Sequence, residues 1–394
     1  MGRRALIAAL LATLACSRGR ANRAAGDPVT TDGDLARSNL EAMIAAYQGM
    51  VAREPGWGGA RLSLVTVLEA RASTYGRVED LERASEVAED GVALAPRSPE
   101  AWLARASARA GLHRFSDASS DLDRALALGA EPDAVTAQRA SIALARGDFA
   151  GALRIARARA AREPGMATDS ALGVVLAESG DPAMAAEAFA RALAEYRDTS
   201  AFPVAFVEFR QGLLAERSGD LDRAAERYGA VLRRLPGHVQ AAVHLAGIEM
   251  VRGRLDAAEE ALHTLLPEAS DPEIPATRAA LARRQGDLPT AAREESAARS
   301  RFDLLLERHP DAFADHAARF FLERDPAEAL RWAVHNLELR QTSEAYDLAL
   351  TAALRAGDPR ARCDLARRAG GVTGGSARLG VLVSDALAVC GRAS

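Results

Sequence analysis

The residues that most often do chemistry in proteins show no catalytic spacing in this sequence of 394 residues. Lysine is absent, which excludes a Schiff-base lysine, a Walker-A lysine and a lysine general base. The seven histidines form no HExxH, the three cysteines form no CxxC, and no GxSxG occurs. His309 and His316 lie seven positions apart across a proline, which favours packing over metal binding. We therefore predict no enzymatic activity, no metal and no cofactor.

Two other patterns that can bind or act on ligands have simpler explanations. The glycine-rich stretch at residues 370–375 lacks the spacing and the lysine of a phosphate-binding loop, so it is interpreted as a link. Neighbouring acids such as Glu294 and Glu295 diverge by about 100° on a helix, so they are expected on a solvated surface. The net charge of −4, with scattered arginines, predicts no nucleic-acid partner.

The N-terminus has the features of an export signal. Arg3 and Arg4 precede an uncharged run at residues 5–15, which is too short to cross about 30 Å of hydrocarbon. We therefore predict a signal peptide at residues 1–15, a flexible tether at 16–34 and an N-terminal helix at 35–57. No other stretch is apolar enough to cross a bilayer.

The sequence Thr13-Leu14-Ala15-Cys16 resembles a bacterial lipobox. The resemblance implies that Cys16 carries the lipid anchor of an exported envelope protein, and Ser17 favours the outer membrane. The lipid would then be the only attachment to the membrane. The alternative is an ordinary secretory signal that is cut nearby, with Cys16 removed or idle.

The rest of the sequence repeats with a period of about 34 residues. One alanine recurs at spacings of 34, 34, 33, 39, 34, 33 and 38 residues: Ala84, Ala118, Ala152, Ala185, Ala224, Ala258, Ala291 and Ala329. A second small residue lies twelve positions before each of them, as at Ala140 and Gly212. Alanine makes up 90 of the 394 residues, which favours closely packed helices. We predict that the eight alanines mark the closest contacts between paired helices.

A turn lies between the two small positions. The turn and the two small residues together resemble the tetratricopeptide repeat. The turn reads Gly-Asp at residues 147–148, 180–181, 219–220, 286–287 and 357–358, where glycine ends one helix and aspartate caps the next. The resemblance covers about residues 60–370. It implies an all-α, right-handed superhelical solenoid of eight to nine helical hairpins, which we place at 58–369. The alternative is a non-repetitive, alanine-rich bundle.

The departures from the period predict particular features. The step of 39 residues places an insertion around residues 198–203, and the step of 38 lengthens a helix over 290–308. Leu350 and Arg362 replace the small residues in a terminal repeat, and residues 370–394 are predicted as a glycine-rich link and a capping helix. Cys363 and Cys390 are candidates for a disulfide in an oxidising compartment, with two free or buried thiols as the alternative.

The family resemblance also implies where a ligand binds, because the first helix of each hairpin lines a concave groove. Carried onto this sequence, the groove positions are Phe206, Phe209, Leu213, Arg217, Val243, Met250, Arg283 and Arg284. The aromatic set either forms a pocket for a partner or lies in the core. The lysines and asparagines of the chaperone-binding charged clamp are missing.

The function implied is a non-catalytic scaffold on the bacterial envelope that binds a protein or peptide in the groove. The alternatives are an accessory lipoprotein for the assembly or secretion of a membrane machine and, more remotely, an enzyme or a partner of a glycan-modifying enzyme.

Overall fold

The computed structural model describes residues 28–370 and 377–390, and all regular structure in these ranges is α-helical. The helices are α1 (Gly33–Arg53), α2 (Gly58–Tyr75), α3 (Glu79–Leu94), α4 (Pro99–Gly111), α5 (Phe115–Ala127), α6 (Pro132–Arg146), α7 (Phe149–Arg162), α8 (Met166–Glu178), α9 (Pro182–Ala194), α10 (Ala201–Arg217), α11 (Leu221–Arg234), α12 (Val239–Val251), α13 (Leu255–His263), α14 (Glu273–Gln285), α15 (Leu288–Arg308), α16 (Pro310–Phe321), α17 (Pro326–Leu339), α18 (Ser343–Arg355), α19 (Pro359–Ala369) and α20 (Ala377–Cys390). Helices α2 to α19 pair into nine successive hairpins, so the predicted all-α solenoid is confirmed.

The turns that carry the predicted Gly-Asp pair have the chemistry that the sequence predicts, whereas the second hairpin turns at His113, with φ of 60°, and the eighth turns without a glycine. Gly147 and Gly286 end their helices with φ of 92° and 81°, the left-handed region that glycine adopts at low cost. The aspartate that follows caps the next helix: the Asp148 carboxylate accepts a hydrogen bond from the Gly151 amide at 2.8 Å. Five more second helices begin with the same cap, at Asp181, Asp220, Asp287, Asp325 and Asp358.

The recurring small residues lie where the paired helices touch. All eight recurring alanines are buried, with at most 2% of their surface exposed. Where the first small position is glycine, an aromatic ring fills the space: a Cβ on Gly173 would lie 2.6 Å from the Phe189 ring, and one on Gly212 would lie 2.6 Å from the Tyr228 ring. The hairpins therefore approach as closely as they do because these positions lack side-chain bulk.

The two long steps in the period have different structural causes. In the first, residues 195–200 form a longer connection, and α10 begins at Ala201 with an added first turn. In the second, α15 runs for 21 residues from Leu288 to Arg308, which confirms the predicted lengthened helix.

The segment predicted as a tether ends earlier than expected. The Thr31 amide donates to the Thr199 carbonyl at 2.7 Å, and Arg234 donates to the Pro28 carbonyl at 3.1 Å. Helix α1 then begins at Gly33. Residues 28–34 therefore belong to the folded body rather than to a free tether, because their backbone groups find partners on the later repeats.

Successive coils of the solenoid also touch each other. The turn of the first hairpin meets the loop between the sixth and seventh: the Ser270 amide donates to the Gly76 carbonyl at 2.9 Å. The turn of the second hairpin meets the start of α16, where His113 Nδ1 lies 2.8 Å from the Asp311 carbonyl oxygen. The turn of the third meets the loop before α18, where the Gln341 amide donates to the Arg146 carbonyl at 3.1 Å.

We call this set of coil-to-coil contacts the seam. Apolar contact accompanies its hydrogen bonds, since Val78 and Leu112 lie in the same buried cluster as Phe302 and Phe313. The ion pair of Glu82 with Arg308 at 3.2 Å joins the first hairpin to the seventh, and Arg340 donates across the seam to the Ala145 carbonyl at 3.3 Å. The superhelix therefore closes on itself after between five and six hairpins.

The C-terminal helix is joined to the last hairpin by a covalent bond. Cys363 in α19 and Cys390 at the end of α20 form a disulfide, with Cα atoms 5.8 Å apart. Leu379 and Ala386 of α20 are buried against the repeats, whereas Val381 and Val389 are exposed. Residues 371–376, in the predicted glycine-rich link, lie outside the described residues.

Within residues 28–370 and 377–390, no helix has the length and apolar character needed to cross a membrane. The predicted signal peptide and the lipidation candidate Cys16 lie outside the described residues.

Candidate interaction surfaces

The aromatic groove positions are part of the core in this structure. Phe209 and Leu213 are 4% and 3% exposed, and Phe206 is half-buried. The Phe209 ring stacks on His238, with centroids 5.4 Å apart, and meets the Tyr228 ring at 5.5 Å. Of the two interpretations left open by the sequence, core packing describes Phe209 and Leu213. A role as partner anchors stays a prediction.

The other apolar groove positions lie on α12. Met250 is buried at 7% exposure, and Val243 is half-buried. Met250 belongs to a buried cluster that also contains Ala258 and Leu281, so it joins the sixth hairpin to the seventh. Met250 therefore also contributes to packing between repeats.

The arginines predicted for the groove are engaged within the chain. Arg217 and Arg210 donate to the Glu178 carboxylate at 3.1 and 2.7 Å, and Arg217 also contacts Glu344 at 2.5 Å. Burial alone would raise the pKa of Glu178, but the charges and hydrogen bonds of Arg217 and Arg210 outweigh it and lower that pKa to about 2. This network links the fourth, fifth and ninth hairpins across the superhelix.

The remaining predicted arginines have closer partners. Arg283 pairs with Glu295, and Arg284 donates to the Met250 carbonyl at 2.8 Å. The predicted groove arginines are thus engaged by partners within their own hairpin or on other repeats.

A buried carboxyl group that the sequence did not predict lies at a groove position of the first hairpin. Glu69 is 3% exposed, and one of its oxygens accepts a hydrogen bond from the Ser107 hydroxyl at 2.9 Å. Burial raises the pKa of Glu69 to about 8, against the weaker opposing effect of the Ser107 hydrogen bond. The group is therefore mostly protonated at neutral pH. No signal in the sequence distinguishes it from the many exposed glutamates.

An open cleft of about 710 Å³ lies in the seam, outside the predicted groove. One wall comes from the third hairpin and includes Arg139, Ile142, Arg146 and Phe149. The opposite wall comes from the eighth and ninth hairpins and includes Glu338, Leu339, Gln341, Tyr346 and Arg368. Because the two walls are about 200 positions apart in the sequence, the cleft forms only when the coils dock.

The charges of the cleft favour an anion. Its three arginines face two carboxylates, those of Asp148 and Glu338. Asp148 is already used as a helix cap, and the Glu338 side chain is 68% exposed, with the Nδ1 atom of His335 3.9 Å away. The apolar side chains of Ile142, Phe149 and Leu339 lie between these charged groups.

The three arginines differ in how firmly they are held. Arg139 pairs with Asp123 at 2.5 Å, but both side chains are exposed, so the pair contributes little. The Arg368 guanidinium lies 6.0 Å from the centre of the Tyr346 ring. For the exposed Arg146 side chain, the described residues provide no hydrogen bond or ion pair.

In the part of the chain that the structure describes, no three histidine, cysteine, aspartate or glutamate side chains come together to hold a metal ion. Several histidines contact carboxylates, as His316 does with Glu273 at 2.6 Å and His335 with Asp311 at 2.8 Å.

Comparison with known proteins agrees with the repeat architecture. Residues 215–283 match the family model of the tetratricopeptide repeat. A search of curated proteins finds no significant match. Several solved structures share the fold at low sequence identity, which shows the fold alone.

Three of these structures illustrate the likeness. The human IFIT1 dimer with m7Gppp-AAAA is 14% identical, with a TM-score of 0.50 over 85% of this chain and 77% of that one. The APC/C hetero-tetramer Cut9-Hcn1 is 17% identical, with a TM-score of 0.45 over 83% of this chain, and the match spans 63% of that chain. A tetratricopeptide repeat protein from Parabacteroides merdae is 16% identical, with a TM-score of 0.38 over 64% of this chain and 97% of that one.

Proposed function

Because the chain is a tetratricopeptide-repeat protein, we propose that it is a non-catalytic scaffold that binds a protein or peptide partner on the bacterial cell envelope. The observation that carries this proposal is the uninterrupted row of nine hairpins. A solenoid of this kind fixes the positions of side chains over a long surface, and such surfaces suit extended partners.

The placement on the envelope rests on the sequence of the N-terminus. The charged residues Arg3 and Arg4, the short apolar run and Cys16 follow the order of a bacterial lipoprotein signal. One lipid-modified residue would hold the scaffold at a membrane surface without any membrane-spanning helix.

Fractionation tests the proposed location. The Cys16→Ser variant of the full chain is expected to move from the membrane fraction to the soluble fraction, because the lipid can no longer be attached. Cys363→Ser serves as the matched control, since it removes a different cysteine and is expected to stay with the membrane. Unchanged fractionation of Cys16→Ser would rule out the lipid anchor.

Photo-crosslinking in the native cell tests the proposed binding role. Amine-reactive reagents are unsuitable because the chain has no lysine, so a photo-reactive amino acid is placed at chosen positions. We expect one protein to be captured from Phe149 at the cleft or from Val243 on α12, and not from Arg157 on the exposed side of α7. Equal capture from all three positions, or none, would contradict a specific scaffold.

A further inference from the structure

We propose that the seam cleft is the binding site for an acidic peptide segment of the partner, with Arg146 and Arg368 as the residues that recognise its carboxylates. This inference rests on the proposed scaffold function and names the site and the chemistry of the partner. The site differs from the concave groove that the repeat family implies, since its walls belong to two coils of the superhelix.

The first argument is the chemistry of the two arginines. A guanidinium group presents paired N–H donors that match the two oxygens of a carboxylate. Arg146 ends α6 on one wall, and Arg368 lies in α19 on the other. Both side chains are exposed, so binding a carboxylate would not require breaking a buried ion pair.

The second argument is the composition of the space between them. A cleft of about 710 Å³ falls within the usual range for ligand sites. Ile142, Phe149 and Leu339 offer apolar contact, so the fitting ligand alternates apolar and acidic groups. A peptide segment has that composition, whereas a simple inorganic anion would leave the apolar walls unused.

The third argument is that the backbone at the seam is already satisfied. The Arg146 carbonyl accepts from the Gln341 amide, and the Ala145 carbonyl accepts from Arg340 at 3.3 Å. A ligand would therefore be recognised by side chains rather than by adding a strand. Because both coils form the walls, the ligand is expected to stabilise their docking as it binds.

The test uses the purified full chain and two synthetic octapeptide libraries. The first library carries two glutamates at varied spacing among leucine, alanine and serine, and the second has glutamine in place of each glutamate. The wild type is expected to enrich the glutamate library about tenfold or more over the glutamine library. Equal enrichment of the two libraries would overturn the proposal. Binding of inorganic phosphate that no peptide of either library competes away would also overturn it.

Three variants assign the effect to the cleft. Arg146→Gln with Arg368→Gln is expected to lose about tenfold or more of this selectivity, while Arg157→Gln, an exposed arginine on α7, leaves it unchanged. Glu338→Gln removes a carboxylate from the cleft wall and should bind the glutamate peptides about twofold to fivefold more tightly. That gain cannot arise from unfolding. A double arginine variant that keeps full selectivity would disprove the assignment.

The outcomes separate this inference from the scaffold function. If Arg146→Gln with Arg368→Gln still captures the same protein in cells as the wild type, the cleft assignment falls and the scaffold function stands. If the libraries give the expected selectivity but no protein is captured in cells, the peptide site stands and the scaffold function falls.

Discussion

Contacts within the hairpins and contacts across the seam are built in different ways. Inside the hairpins, small residues recur at nearly constant spacing and are buried where the two helices meet, and ion pairs such as that of Arg71 with Asp80 at 2.7 Å join the same helices. At the seam, the contacts come from residues that do not recur: the Ser270 and Gln341 amides donate to carbonyls of another coil, and His113 Nδ1 lies 2.8 Å from the Asp311 carbonyl oxygen. The repeat period therefore specifies the hairpins, whereas closure of the coil depends on single residues outside the period.

Equivalent turn glycines show the same difference. A Cβ added to Gly147 would lie 2.6 Å from the Gln341 carbonyl oxygen, and one added to Gly76 would lie 2.7 Å from the Val239 side chain. At Gly253 and Gly286, which occupy the same place in other hairpins, a Cβ would meet nothing within 4 Å. At these four turns glycine is needed for its positive φ, and at Gly147 and Gly76 it is also needed for space where the coils dock.

The largest expected effect tests whether the regular packing tolerates a charge. Above pH 8, the buried Glu69 must ionise in the folded state or hold its proton at a cost. Because its folded pKa of about 8 exceeds its ordinary value of 4.5, the folded state binds more protons between these values and stability falls as pH rises through them. Glu69→Gln should therefore gain about 4 kcal/mol over the wild type at pH 8.5, but little at pH 4.

Denaturant unfolding of both proteins across this pH range measures the effect. Glu79→Gln is the control, because Glu79 lies on the next helix and is exposed. Burial alone would raise the pKa of Glu79, but its hydrogen bonds from Ser270 and Arg77 outweigh that effect and lower the pKa. A pH-independent difference between wild type and Glu69→Gln would contradict a buried, protonated carboxyl group.

The second effect concerns the end of the chain, where a covalent bond supplements both kinds of contact. Removing the disulfide with Cys363→Ser and Cys390→Ser frees a loop of 27 positions, which costs about 3–4 kcal/mol in the chain-entropy description. Because α20 packs mainly against α18 and α19, it should lose protection from hydrogen exchange while α12 and α13, which belong to another repeat, keep theirs. Equal loss along the whole chain would show that the repeats unfold as one unit.

The third effect separates close helix contact from helix propensity. Gly212→Ala would force a methyl group against the Tyr228 ring, with an expected cost of about 1–3 kcal/mol. Gly247→Ala, also inside a helix, meets nothing within 4 Å and should gain about 0.5–1 kcal/mol. Midpoints of urea unfolding compare the two. If both variants shift in the same direction, small residues are not what allows the helices of a pair to approach.

The smallest effect isolates the seam. Gly147→Ala and Gly253→Ala both place alanine at positive φ, which costs about 1–2 kcal/mol in each case. Only Gly147→Ala also collides with the opposite coil, so we expect it to lose about 1–2 kcal/mol more. Thermal unfolding of the two variants gives the difference. Identical losses would mean that the coils do not press on each other at this turn.

Much of the fold follows from the sequence for physical reasons. The spacing of small residues, the glycine turns and the aspartate caps are local signals, and together they predict the hairpins, the lengthened α15 and the all-α class. That residues 28–34 belong to the folded body is not predictable in this way, because Thr31 and Pro28 form hydrogen bonds with residues about 170 to 200 positions away.

The candidate site was less predictable than the fold. Family positions placed Phe209 and Leu213 in the groove, but they cannot show whether the superhelix leaves room for a ligand there. Arg139 and Arg146 lie seven positions apart on α6, a spacing that places them on one helical face, but nothing in the sequence distinguishes them from the other arginines. Their opposite wall, with Leu339 and Arg368, is joined to them only by docking of the coils, which no local pattern records.

Hydrogen exchange at the Ser270 and Gln341 amides tests the central claim that the coils dock. Each amide donates to a carbonyl in another coil, at Gly76 and Arg146, and lies in a loop that would otherwise be open to water. We predict that both amides of the wild type are protected, and that Gly147→Ala lowers the protection of Gln341 more than that of Ser270. Exchange of both amides at the rate of an unstructured peptide, while the helices stay protected, would show that the solenoid is open.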